Sequence, residues 1–212
     1  QGALGRKQNV HAVDGVSFNV REGETLGIVG ESGCGKSTLA RAALGLVPLT
    51  SGRIIWRGVS LHAPDRRGLR DRWHEFQMIF QDPLASLDPR MTVADIVAEP
   101  VRALRTDLHK EDIRDAVYQA IKRVGLDTSV LPRYPHEFSG GQCQRISIAR
   151  ALVVEPKLLV CDEPVSALDV SVQAQILNLL NELKANRGLT MLFISHDLSV
   201  VRHMSDRGMG LY

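Results

Sequence analysis

The sequence has few cysteines, almost no excess charge and no long apolar run. The three cysteines, Cys34, Cys143 and Cys161, form no CxxC pair and lack the spacing of a zinc site, which argues against a structural metal centre. The 26 basic and 24 acidic residues leave a net charge of +2, so we expect no nucleic-acid partner. No apolar run approaches the roughly 20 residues that span a bilayer. We therefore expect any membrane role to come through partner subunits.

Glycine is concentrated in a segment that fits the phosphate-loop pattern G-x-x-x-x-G-K-[ST]. In this pattern, backbone N–H groups close around phosphates, the lysine reaches the outer phosphates and the serine hydroxyl binds Mg²⁺. The predicted nucleotide-binding residues here are Gly30, Glu31, Ser32, Gly33, Cys34, Gly35, Lys36, Ser37 and Thr38. We predict that Lys36 neutralises the β- and γ-phosphates and that Ser37 is a ligand of Mg²⁺.

The segments around this loop have the order that a phosphate loop requires. Residues 25–29 form a short apolar strand that leads into the glycines, and residues 38–46 are predicted to continue as a helix. Apolar and polar residues alternate over 12–20 and 53–61, a pattern typical of antiparallel edge strands.

Two further apolar runs end in polar residues. The run at 158–161 ends in Asp162 and Glu163, as expected of a buried strand whose tip faces the nucleotide. We predict that Asp162 holds Mg²⁺ and that Glu163 polarises the attacking water as a general base. The run at 189–194 precedes His196, whose imidazole can donate a hydrogen bond to a phosphate.

The remaining sequence indicates helices inserted into an α/β core. Within 110–124, apolar residues recur at helical spacing, and this pattern ends at Gly125. We predict a helix that is capped by Ser139 and ends before Pro156, and another that runs from about Ser171 to a stop at Gly188. The glycines of 208–210 are expected to weaken a strand there.

A four-residue segment, Ser139, Gly140, Gly141 and Gln142, separates the two nucleotide motifs. This order of motifs resembles the ATP-binding cassette (ABC) family. The resemblance implies a P-loop NTPase fold in the α/β class, with a RecA-like core, an antiparallel β subdomain and an inserted helical subdomain at about 83–150. It also implies one nucleotide-binding domain over 1–212, which looks like a fragment of a longer subunit. Four stretches are similar to the importers of oligopeptides, dipeptides and nickel, namely 77–90, 133–142, 162–171 and 195–201.

The resemblance assigns further roles to single residues. Gln81 matches the Q-loop glutamine that contacts Mg²⁺ and the attacking water, and His196 matches the switch histidine at the γ-phosphate. In the family two ATPase subunits pair head to tail, so Ser139, Gly140, Gly141 and Gln142 of one face the phosphate loop of the other across ATP. The segment 166–169 resembles the loop that crosses this interface, and 81–100 the groove that receives a membrane subunit.

The resemblance also implies the function. We expect a subunit that binds ATP and Mg²⁺, hydrolyses ATP and powers an importer of peptides or related small solutes, with nickel as a further candidate. Its partners would be transmembrane permease subunits, an identical or related second ATP-binding subunit and, indirectly, an extracellular or periplasmic solute-binding protein. The subunit would act at the cytoplasmic face of a bacterial or archaeal membrane.

Two alternatives within the family are an exporter cassette and a soluble ATPase of DNA repair or translation. The sequence shows no long coiled-coil insertion, zinc site or duplicated cassette of the second class. One departure from the family is that residues 1–17 contain no Phe, Tyr or Trp to stack on adenine. Either His11 or an arginine takes this role, or the stacking residue is missing.

Overall fold

A computed structural model of the protein describes residues 12–61 and 72–212. The strands are β1 (Thr25–Gly30), β2 (Ile55–Trp56), β3 (Val59–Ser60), β4 (Phe76–Ile79), β5 (Leu158–Asp162), β6 (Thr190–Ser195) and β7 (Arg207–Leu211). The helices are α1 (Lys36–Ala43), α2 (Pro83–Ser86), α3 (Val93–Leu104), α4 (Lys110–Arg123), α5 (Gly140–Leu152), α6 (Val170–Arg187) and α7 (Leu198–Met204). Three short 3₁₀ turns lie at Trp73–Glu75, Thr128–Val130 and Pro135–Glu137.

Five of the strands form one parallel sheet in the order β4-β5-β6-β1-β7. In the described chain each of its connections passes through helices, as parallel strands require. Because the strands are parallel, their carboxyl ends meet at one edge, where open α/β sheets bind ligands. The glycine loop after β1, Asp162 at the end of β5 and His196 just after β6 are thereby brought to the same edge.

The sheet is buried on both faces. Alternate residues of β6 point to opposite sides, with Phe193 in one apolar cluster and Ile194 in the other, and both are fully buried. The first cluster packs α3 to α6 against the sheet, whereas the second packs α1 on the opposite face. This double burial explains why the strands read as nearly continuous apolar runs.

The predicted helices form with the expected caps. The helix predicted over 110–124 spans Lys110–Arg123, and α6 ends at Gly188, which has a φ of 60°. At the start of α5, Ser139 Oγ accepts from the Gln142 N–H at 3.4 Å, and Gln142 Oε1 accepts from the Ser139 N–H at 3.0 Å. This capping box satisfies two donors at the helix end. The helices α2 to α5 all lie between β4 and β5 in the chain.

Three expectations about local structure are wrong. Residues 12–20 form no strand, because Gly15 turns the chain with a φ of 63°. The segment 53–61 is a hairpin and not one strand, since Arg57 and Gly58 both have positive φ, as hairpin turns require. The helix predicted over 38–46 spans 36–43, because a left-handed Gly35 lets it begin directly after the loop.

The C-terminal strand β7 forms despite its two glycines. It pairs with β1 over all five of its residues, from Arg207 to Leu211. Met209 and Leu211 pack on the second apolar cluster, and Arg207 Nε lies 2.6 Å from the carboxylate of Glu24. These side-chain contacts compensate for the glycine positions, which contribute no packing. In the described parts of the chain, none of the helices has the length and apolar character needed to cross a membrane.

Candidate functional site

The glycine loop has a backbone shape that only glycine allows at two of its positions. Gly33 and Gly35 have φ of 86° and 98°, a region that side chains with a Cβ disfavour. A Cβ on Gly35 would also lie 2.0 Å from the Ala12 carbonyl oxygen. The N-terminal segment therefore closes on the loop only because this residue has no side chain.

Lys36 lies on the inside of the loop. Its side chain is only 4% exposed, and Nζ donates to the carbonyl oxygens of Gly30 at 2.8 Å and Glu31 at 2.7 Å. Lys36 is also the first residue of α1, and the first N–H groups of a helix have no partner within the helix. A helix start and a buried ammonium together favour an anion at this position.

Ser37 and Asp162 meet although 125 positions separate them. Ser37 Oγ donates to Asp162 Oδ1 at 2.9 Å, and Asp162 is almost fully buried. Burial raises the pKa of Asp162, while the Ser37 hydrogen bond and the nearby Arg41 and Lys36 charges oppose the shift. A hydroxyl and a carboxylate in contact are oxygen ligands of the kind that Mg²⁺ prefers, so this pair fits the predicted metal.

The three predicted catalytic residues, Gln81, Glu163 and His196, form one cluster. Glu163 Oε2 accepts from Gln81 Nε2 at 3.2 Å and lies 3.1 Å from His196 Nδ1. Each follows the carboxyl end of a different strand, and those strands, β4, β5 and β6, are neighbours in the sheet. The Glu163 side chain is 12% exposed and His196 is 56% exposed, so the cluster faces solvent on its histidine side.

Asp162 and Glu163 are consecutive but have different surroundings. Asp162 faces the glycine loop through Ser37, whereas Glu163 faces Gln81 and His196. The backbone of Glu163 has a φ of 50°, which the sequence pattern did not predict. Ser166 donates to the Glu163 carbonyl oxygen from both N, at 3.3 Å, and Oγ, at 3.1 Å. This contact was also missed, because nothing in the sequence of this short loop signals it.

The segment Ser139, Gly140, Gly141 and Gln142 lies at the start of α5, on the surface. A Cβ on Gly141 would lie 2.5 Å from Val172 Cγ1 of α6, so glycine permits this close packing. Within the described residues, no hydrogen bond joins the four to the glycine loop. The two predicted phosphate-binding segments are therefore not linked by a hydrogen bond within the described part of one chain. His11, a candidate for stacking on adenine, lies outside the described residues.

Comparisons with known proteins identify a matching family and several relatives. The ABC transporter family model matches residues 13–166. The oligopeptide transport ATP-binding protein OppF of Salmonella typhimurium is 57% identical over 205 residues, which cover 97% of this chain and 61% of the relative. OppF of Escherichia coli is 56% identical over 208 residues, with coverages of 97% and 61%. The chain thus spans about three fifths of the length of these curated relatives.

Solved structures show the same fold. A dimeric ATP-binding cassette in a post-hydrolysis state, bound to ADP and Pi, superposes with a TM-score of 0.83 at 30% identity, covering 94% of this chain and 86% of that one. The cbiO1 protein from Clostridium perfringens, part of the ABC transporter complex cbiONQ, also gives a TM-score of 0.83, at 32% identity and coverages of 94% and 78%.

Proposed function

Because the chain belongs to the ABC transporter family, we propose that it binds and hydrolyses ATP to power an importer of oligopeptides or related small solutes. The observation that carries the proposal is the meeting of Glu163, Gln81 and His196 beside the Ser37–Asp162 pair. Oligopeptides are favoured as the solute because relatives more than half identical are named as oligopeptide transport proteins. An importer is favoured over an exporter because the stretches 77–90, 133–142, 162–171 and 195–201 resemble importers.

The glycine loop would bind the phosphates of ATP. Lys36 Nζ has three donor hydrogens. In this structure it donates hydrogen bonds to the carbonyl oxygens of Gly30 and Glu31. An ammonium held at the start of α1 would attract the phosphates and form charge-assisted hydrogen bonds with them. The backbone N–H groups of residues 33–38 would supply the other donors.

Ser37, Asp162 and Gln81 would hold Mg²⁺, which neutralises charge on the β- and γ-phosphates when bound. The Ser37 hydroxyl and the Asp162 carboxylate are already in contact. Gln81 Nε2 donates a hydrogen bond to Glu163. The other end of the amide, Oε1, is therefore left as an oxygen ligand for the cation. All three side chains therefore offer the oxygen donors that this cation requires.

Glu163 would act as the general base. Its carboxylate would accept a proton from the attacking water as the water oxygen bonds to the γ-phosphorus and the bond to the bridging oxygen breaks. The hydrogen bond from Gln81 Nε2 and the contact with His196 Nδ1 fix the direction of the carboxylate. His196 would orient the γ-phosphate with its other ring nitrogen.

A second chain, identical or related, would complete each site. The segment 139–142 is a helix start on the surface and is suited to a phosphate of a partner chain. Two exposed apolar residues, Val170 (82% exposed) and Leu198 (65%), lie directly after the loops at the same edge of the sheet. A dimeric cassette with ADP and Pi superposes on this chain, which supports the pairing of two chains.

Transmembrane permease subunits would be the other direct partners, with a solute-binding protein acting through them. The segment 81–100 begins at Gln81, which belongs to the proposed nucleotide site, and includes the exposed Leu84. A permease helix bound to this segment would respond to the binding and hydrolysis of the nucleotide. The chain would accordingly act at the cytoplasmic face of the membrane, as a peripheral subunit.

Asp162→Asn is expected to lower the rate of Mg²⁺-dependent phosphate release from ATP at least ~100-fold, since a positioned electrostatic stabiliser is lost. Without nucleotide, its Tm at pH 7 should equal or exceed that of the wild type. Burial raises the pKa of Asp162, so its ionised form costs stability, and the difference in Tm should shrink as the pH falls toward 4. Asparagine still offers an oxygen to Ser37.

Phosphate release and thermal unfolding of both proteins check this prediction. A variant that hydrolyses Mg²⁺-ATP at the wild-type rate, or that unfolds well below the wild type at pH 7, would contradict the role given to Asp162.

A further inference from the structure

Glu163 has a backbone conformation that its side chain and the following proline disfavour. Among the described non-glycine residues, only Arg57, Glu155 and Glu163 have positive φ. A side chain with a Cβ is strained in this region, and the following Pro164 keeps the residue before it out of the right-handed helical region. Such a conformation persists only when neighbouring groups hold it, and it is often found at functional sites.

Neighbouring groups hold the peptide groups on both sides of Glu163. On the amino side, the Glu163 N–H donates to the Ile194 carbonyl oxygen at 3.0 Å. Ile194 is fully buried in β6, the strand that leads to His196, so this side is fixed by the sheet. On the carbonyl side, the oxygen of Glu163 accepts from Ser166 N at 3.3 Å and Ser166 Oγ at 3.1 Å.

The direction of the Glu163 carboxylate depends on this backbone. One oxygen, Oε2, is within hydrogen-bond distance of both Gln81 and His196. A change in the φ of Glu163, which is 50°, would move its Cβ and its carbonyl group together and carry the carboxylate away from at least one of them. Small misplacements of a reacting group reduce catalysis strongly, by up to ~100-fold per ångström.

We propose that Ser166 is a positioning residue for Glu163, whose hydroxyl fixes the left-handed turn that directs the catalytic carboxylate between Gln81 and His196. The inference rests on the proposed function, because it deepens the role of Glu163 as the base. Ser166 acts through the carbonyl oxygen of Glu163 and not on the reacting atoms. Its N–H makes a parallel but longer bond, so the hydroxyl can be removed without releasing the turn completely.

The test is a graded series at this position. Ser166→Ala removes the hydroxyl and keeps the N–H, Ser166→Thr keeps a hydroxyl, and Ser166→Cys offers a weaker thiol donor. We expect kcat to fall about 5- to 10-fold for the alanine variant, the effect of one lost hydrogen bond. The KM for ATP should stay within about twofold, because substrate binding is unchanged. The threonine variant should return most of the rate, and cysteine should lie between.

Ser129→Ala is the control, because it removes a hydroxyl from an exposed turn and should leave kcat unchanged. The inference would be overturned by a wild-type kcat in Ser166→Ala, by a change in KM alone, or by a threonine variant no faster than alanine. Measuring Tm verifies that each variant is folded. Glu163→Gln in the same assay separates the two claims: if it is inactive while Ser166→Ala is normal, only the positioning role fails. If Glu163→Gln is as fast as the wild type, the proposed base itself fails.

Discussion

Glu163→Gln is expected to abolish ATP hydrolysis while ATP binding remains. Glutamine has the size of glutamate and can still contact Gln81 and His196, which both lie within 3.2 Å of Glu163 Oε2. It cannot take a proton from water, however, and loss of a general base typically costs ~10²- to 10⁴-fold in rate. Phosphate release at saturating Mg²⁺-ATP measures the effect, and titration with a fluorescent ATP analogue measures binding.

The variant should also trap an ATP-bound dimer, because hydrolysis would no longer separate the subunits. Size-exclusion chromatography with and without ATP would detect this. Glu155→Gln is a matched control, since Glu155 is the other glutamate with positive φ and forms exposed ion pairs with Arg123 and Arg187. It should hydrolyse ATP at the wild-type rate. An unchanged rate in Glu163→Gln would rule out Glu163 as the base.

Lys36→Ala is expected to weaken ATP binding about 10- to 100-fold, because hydrogen bonds to charged groups contribute about 1.5–3 kcal/mol. The side chain is almost fully buried inside the loop. Its removal also leaves the carbonyl oxygens of Gly30 and Glu31 without their Nζ donor. The loop should therefore lose both its charge and part of its shape. The dissociation constant for ATP, measured by titration, gives the result.

Two further variants define the origin of this effect. Lys36→Met keeps most of the side-chain length without the charge, so it should lose affinity to a similar degree. Lys122→Ala removes a lysine that lies over the Tyr118 ring on α4 and should bind ATP normally. Wild-type affinity in Lys36→Ala would refute the assignment of this lysine to the phosphates.

The local elements of the site could be predicted from the sequence because each has a short-range cause. The glycines at 33 and 35 are required by the backbone shape, and Ser139 with Gln142 forms a capping box that needs only its own four residues. The short continuous apolar runs identify buried parallel strands in the same way.

Contacts between distant residues could be expected only in outline. Gln81 and Glu163 are 82 positions apart, and they meet because β4 and β5 are neighbours in the sheet. That order depends on the packing of all the helices and on no single segment. The resemblance to a known family placed Gln81 at the attacking water, where Glu163 was also expected, but it did not state the order of the strands.

The errors have physical causes of the same kind. The alternation over 12–20 is typical of a strand, but Gly15 interrupts the extended chain. The segment 53–61 contains a turn at Arg57 and Gly58, and a single glycine was too weak a signal for it. The positive φ of Glu163 follows from hydrogen bonds with Ile194 and Ser166, which exist only in the folded protein.

The dependence of ATPase activity on protein concentration tests most directly whether two chains build each site. The glycine loop and the segment 139–142 lie in one chain without a hydrogen bond between them in its described residues. We therefore predict that the rate per chain, measured as phosphate release with Mg²⁺-ATP, rises as the protein is concentrated and its chains associate. A substantial rate per chain that stays constant on dilution would contradict the account, because one chain would then suffice.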